Sequence, residues 1–151
     1  MSMSGNARPM LPALSRLYPQ WTELALLLLR LTAGLELAPR VWGKIMVMGP
    51  TAVATNMMQK RGMEPTMFFA YAAIIIETIG VVCITLGLFT RAAALLLVIE
   101  FIFIVYSHLT MQGWNVANGA EFPFLWLVVY IVFLCRGGGP YSVDAKMSRE
   151  L

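Results

Sequence analysis

Three ionisable residues, Arg30, Glu77 and Glu100, each fall inside a long apolar run where water is scarce. Glu77 is the most isolated, because the chain carries no other charge between Phe68 and Leu88. At 1.5 Å per residue that run is about 30 Å long, the thickness of a bilayer's hydrocarbon core. A carboxylate at mid-membrane costs roughly 3 kcal/mol on insertion scales unless protein encloses it. Glu77 therefore needs neighbours. An arginine and two acids at one depth form a proton-sharing cluster, since one positive charge cannot balance two carboxylates. A second set, Glu36, Arg40, Lys44, His108 and Glu121, gathers toward the outer face. The competing reading is that these charges only fix the register of a bundle, as buried polar residues do in other helix assemblies.

Other chemistry finds little support. His108 is the one histidine and lies near the end of an apolar run, where a hydrogen-bonding role is more common than ligation. Cys83 and Cys135 are isolated in apolar runs with no Cys-x-x-Cys or His–Cys cluster, so no metal site is expected.

The elements that must hold these residues follow from composition. The chain has 151 residues, 59% of them hydrophobic and 13% charged, with a mean hydropathy of +0.73. Soluble domains carry about 25% charged residues, so the reading is an integral membrane protein forming one compact unit. The net charge of +3 sits mostly at segment ends, where cytoplasmic loops collect lysine and arginine, and does not imply nucleic acid.

The pattern predicts an all-α fold, a four-helix transmembrane bundle with spans at about 21–42, 67–88, 92–110 and 121–136. Trp21 and Trp42 bracket the first span as interfacial anchors. That span is too long for a signal-peptide core and lacks an Ala-x-Ala site, so it reads as uncleaved. Pro50 and Gly62 bracket a short interfacial helix at about 50–61, with Lys60 and Arg61 near the headgroups. The fourth span opens at Glu121, and from Phe122 to Cys135 it covers about 20 Å, short for a bilayer. Residues 1–20 and 137–151 read as polar tails. With four spans, Arg8, Arg16, Arg91, Arg136, Lys146 and Arg149 lie on the side of both termini, against Arg40, Lys44, Lys60 and Arg61 opposite, which points to cytoplasmic termini.

Several of these stretches together resemble the DoxX family: Arg30-Leu31 with Gly34 and then Gly43-Lys44, Glu77 with Gly80, the turn Gly87-Leu88-Phe89-Thr90-Arg91, Glu121 opening the last span, and Gly137-Gly138-Gly139-Pro140-Tyr141-Ser142-Val143-Asp144. The matching positions are Arg30, Gly43, Lys44, Glu77, Gly80, Gly87, Arg91, Glu121, Gly139 and Asp144. The resemblance implies a four-helix bundle in a bacterial or archaeal cytoplasmic membrane, similar to the membrane subunit of thiosulfate:quinone oxidoreductase. Some relatives are linked to thiol chemistry, but this chain has no cysteine pair to exchange disulfides and no histidine pair for a haem.

Three functions are weighed. The first is an accessory or structural subunit of a larger respiratory or redox membrane complex, with quinone contact and a proton relay through the Arg/Glu cluster. The second is a quinone-reactive oxidoreductase subunit, with quinone as its cofactor and the electron carrier on a partner. A small transporter ranks last, because four short helices leave little room for a path. Expected partners are the lipid bilayer and other membrane subunits or further copies of the chain.

Overall fold

The computed structural model describes residues 18–115 and 117–147, and among these the chain is helical with no strand. The segment before Tyr18, most of the expected amino-terminal tail, lies outside the described residues, as does Arg149. Helix α1 (Tyr18–Trp42) packs on α3 (Thr66–Leu86), α3 on α4 (Thr90–Met111), and α4 on α5 (Glu121–Arg136). Two helices, Thr66–Leu86 and Thr90–Met111, are long and apolar enough to cross a membrane. By contrast α1 carries Glu23, Arg30, Glu36 and Arg40, and α5 has 16 residues. The outside is apolar: Leu28, Leu35, Val47, Phe68, Ile75, Phe103 and Tyr106 are all exposed, a surface that suits lipid and not water.

Trp42 does not end the first helix. Its backbone is helical, and the chain continues into a π-helical stretch, Gly43–Met48, before Gly49 breaks it at φ 77°. From Tyr18 to Met48 the rod is about 45 Å long at an α-helical rise. Its midpoint falls near Ala33, and the antiparallel register that sets Gly34 against Thr85 places Arg30 level with the end of α3 and Lys44 level with Glu77.

Past Gly49, Pro50 starts a short helix, α2 (Gly49–Val53), which runs on through Ala54–Met58 and Gln59–Arg61 to a left-handed Gly62. The stretch expected as an interfacial helix, about 50–61, is helical. Val53, Ala54 and Met58 bury themselves against Ala70 and Ile74 of α3, forming a small second core. The main core lies deeper among α1, α3, α4 and α5, with Ala33, Leu37, Ile84, Leu97, Phe101, Tyr130 and Phe133 at its centre. Phe101 and Tyr130 meet edge to face with centroids 4.9 Å apart, joining α4 to α5.

The turn between α3 and α4 sets the depth of the acids. Gly87 adopts φ 69°, its N–H donates to Ile84 O at 3.3 Å, and Leu88 N–H donates to Cys83 O at 2.9 Å, the paired bonds of a Schellman motif. Glu77 lies ten residues before Gly87 and Glu100 eleven after Phe89, so both sit about 15 Å from the turn on adjacent antiparallel helices. One turn away from the acids, Gly80 lets Leu97 approach so closely that an added Cβ would lie 2.8 Å from its Cδ1.

On the α1–α3 side, Gly34 plays the same part. A Cβ there would overlap the Thr85 hydroxyl and stand 3.2 Å from the Thr85 backbone nitrogen. Gly34→Val should therefore lower stability by about 2 kcal/mol through overpacking, read as a drop in the detergent melting temperature. A melting temperature equal to that of the parent chain would show that α1 and α3 separate at no cost.

Candidate functional site

The most buried acid has a definite partner. Lys44 Nζ donates to Glu77 Oε1 at 2.6 Å and to Oε2 at 2.7 Å. Glu77 is 2% exposed and the Lys44 side chain 11%, so the pair is held almost entirely away from solvent. Lys44 arrives from the π-helical stretch, where an i→i+5 bond inserts an extra residue into the turn and re-aims the side chains that follow. Glu100 lies within electrostatic reach of both Glu77 and Lys44. Its Oε2 is buried without a hydrogen-bond partner among the described residues.

Two further groups face this centre. Tyr130 from α5 is buried within electrostatic range of Glu77 and Glu100. Arg61, at the end of the segment folded over α3, is half-buried; that burial lowers its guanidinium pKa, and the Glu77 charge partly offsets the effect.

Arg30 does not join Glu77 and Glu100 as the sequence reading expected. It is 2% exposed, and its guanidinium donates from Nη1 to Gly138 O and from Nη2 to Tyr141 O, the latter at 2.9 Å. Its electrostatic partner is Asp144. The physical reason is the α1–α3 register: with Gly34 against Thr85, Arg30 lies level with the α3–α4 turn, where a Cβ on Gly87 would collide with its guanidinium.

This second knot also corrects the reading of 137–151 as a polar tail. Ser142 and Asp144 are buried, and a short helix, α6 (Val143–Met147), follows Ser142. Asp144 Oδ1 accepts from Phe89 N–H at 2.7 Å, and Oδ2 accepts from Thr90 N–H at 2.9 Å and from Thr90 Oγ1 at 2.8 Å. Asp144 N–H donates in turn to Gly87 O at 2.9 Å. Residue 144 thus caps the start of α4, which has no cap from its own chain neighbours, and sets a negative charge at a helix amino terminus. It also holds Phe89 at φ 46°, a conformation a bulky side chain adopts only under constraint.

The outer set does not form one cluster. Glu36 and Arg40 pair at 3.4 Å along α1 with both side chains exposed, and Arg40 stands 5.0 Å from the centre of the Phe122 ring. His108 Nδ1 lies 2.8 Å from Ile104 O on its own helix. Glu121 is exposed at the start of α5. Lys44 leaves this set for Glu77. That pairing is hidden in the sequence by a first helix that reads as ending at Trp42, and Asp144, marked only by the family resemblance, shows no capping role because nothing local signals a cap supplied from 54 residues away.

The DoxX family model matches residues 25–110, which run from α1 to nearly the end of α4 and include Arg30, Lys44, Glu77 and Glu100. The chain belongs to the DoxX family. An uncharacterized protein of Haemophilus influenzae is 31% identical to this DoxX chain over 80 residues, 50% of the chain and 60% of the relative. The chain thus spans three-fifths of that relative's length. An uncharacterized membrane protein of Mycobacterium tuberculosis is 26% identical over 161 residues, covering 99% of the chain and 96% of the relative. No solved structure matches. This DoxX protein is a membrane protein, and of the positions that carried the family resemblance, Lys44, Glu77 and Gly80 lie at or beside the first knot, with Arg30, Gly87, Gly139 and Asp144 at the second.

Proposed function

We propose that this DoxX protein is an accessory membrane subunit of a larger respiratory or redox complex, and that Lys44, Glu77 and Glu100 form its proton-handling centre. The observation that carries the reading is the buried Lys44–Glu77 pair with a second acid, Glu100, whose Oε2 has no hydrogen-bond partner among the described residues. One lysine faces two carboxyl groups, so a proton can reside on either acid while Lys44 bridges to the other. Ionisable groups at membrane depth default to such roles. The accessory assignment rests on the sequence, which offers no cysteine pair and one histidine, whereas a redox catalyst shows the residues that hold its cofactor. In this reading all four long helices span a bacterial or archaeal cytoplasmic membrane as a bundle, α5 with local thinning of the bilayer, and both termini face the cytoplasm.

Isolation of the tagged chain from its native membranes in mild detergent tests the assignment. Redox subunits should co-purify at a fixed ratio, and Glu100→Gln should preserve that assembly while reducing coupled proton uptake by about tenfold or more, the loss expected of a positioned proton-transfer group. Purification of the chain alone, or full proton uptake in Glu100→Gln, removes the reading. The alternative, a quinone-reactive subunit, requires stoichiometric quinone in the extract and its loss on changing Glu77.

A further inference from the structure

The described loop after α4 and the first turns of α5 enclose a cleft of about 540 Å³ that the proton-handling centre does not use. Its walls are Trp114, Phe122 and Phe124, and its polar groups include Asn118 and Glu121. The loop is closed by Ala120 N–H donating to Gly113 O at 3.0 Å and Glu121 N–H to Trp114 O at 3.4 Å, which sets Trp114 against Phe124 with ring centroids 5.3 Å apart. Asn118 is held at φ 65°, a left-handed conformation that asparagine tolerates better than most side chains.

Depth identifies the cleft's surroundings. Helix α4 is about 33 Å long from Thr90 to Met111, so the loop that follows it emerges at headgroup level, where tryptophan concentrates. Below the loop, Glu121, Leu125, Val128 and Val132 recur at helical spacing on α5, and all four are exposed. This track leads from a carboxylate down an apolar strip about 16 Å long. Beside the cleft, Arg40 lies over the Phe122 ring.

We infer that this cleft is a binding site for a phospholipid bearing a primary amine. Its ammonium meets the Glu121 carboxylate between the faces and edges of Trp114 and Phe124, its phosphate meets Arg40, and one acyl chain follows Leu125, Val128 and Val132. The carboxylate makes the choice among lipids. A primary ammonium donates charge-assisted hydrogen bonds to it, a trimethylammonium has no hydrogen to donate, and an anionic glycerol headgroup is repelled. The apolar track excludes a small water-soluble amine as the preferred occupant, because such a molecule leaves that strip uncovered.

Native mass spectrometry of the full chain, stripped of lipid in detergent and then offered equal amounts of dioleoyl phosphatidylethanolamine, phosphatidylcholine and phosphatidylglycerol, tests the assignment. Phosphatidylethanolamine should be retained about fivefold more tightly than phosphatidylcholine, the scale of one exposed charge-assisted hydrogen bond, and further still than phosphatidylglycerol. Glu121→Gln should bring the first two lipids to parity while lowering the lipid-free melting temperature only slightly, since Glu121 is exposed and loses no more than a favourable charge in the first turn of α5. Trp114→Ala should weaken retention of both zwitterionic lipids. Equal retention of all three lipids by the parent chain, a preference that survives Glu121→Gln, or displacement of phosphatidylethanolamine by an equimolar long-chain quinone each overturns the site.

Discussion

Asp144→Ala should destabilise the folded chain by about 4 kcal/mol, the scale of removing a buried charged acceptor of three hydrogen bonds. The substitution strips Phe89 N–H, Thr90 N–H and Thr90 Oγ1 of their acceptor together. It also leaves the Arg30 guanidinium, 2% exposed, without the acid that acts on it electrostatically. Asp144→Asn keeps one carbonyl acceptor and should lose about half as much, because the neutral side chain gives up the charge at the start of α4. Equilibrium unfolding in mixed detergent micelles measures both. A drop under about 1 kcal/mol for alanine would mean that the closing segment contributes no more than an ordinary surface cap. Gly138→Ala offers an independent check, since its Cβ would stand 2.6 Å from Ser142 Cβ and 2.7 Å from Thr90 Oγ1.

The second large effect concerns the Lys44–Glu77 pair, where one change and two changes should pull in opposite directions. Glu77→Leu or Lys44→Met alone abandons a buried charge, which costs about 3–5 kcal/mol. The double substitution removes both charges and fills the space with apolar atoms, so it should recover most of the loss and can exceed the parent in stability. Activity should follow a different order: both single variants and the double variant lack the centre and should lose any coupled proton transfer alike. That split between stability and activity separates a functional centre from a register-setting pair. If the double variant is as unstable as the sum of the singles, the two side chains do not interact as a unit.

Much of the architecture was legible in the residues. Gly87 followed by Leu88, Phe89 and Thr90 marked the tight turn after the Glu77 run, and the equal spacing of Glu77 and Glu100 from that turn placed them at one depth. Glu121 and Arg136 bracket α5 where the composition changes. The inward face of the Glu77 helix was readable too, because Gly80, Ile84 and Gly87 follow it at helical spacing.

What was not legible has two physical origins. A π-helical stretch has no strong residue signature, and its extra residue per turn moves Lys44 onto a face that α-helical spacing does not assign to it. Aromatic residues also anchor only where they lie at an interface, and Trp42 stands exposed on the flank of a continuous rod. The Arg30 and Asp144 contacts fail for a different reason. They join positions separated by 108, 111 and 54 residues, and hydrophobic periodicity carries no information about which distant loop returns to which helix end.

That long separation bears on how the chain is made. The carbonyls that receive the Arg30 guanidinium belong to residues 138 and 141, so they are synthesised after the long helices α1, α3, α4 and α5. Until those residues are made, the guanidinium on α1 lacks the two carbonyls it docks on in the folded chain. Closure of that contact therefore follows synthesis of α5, and a chain cut before Gly138 would keep the long helices yet lack both acceptors of the Arg30 guanidinium.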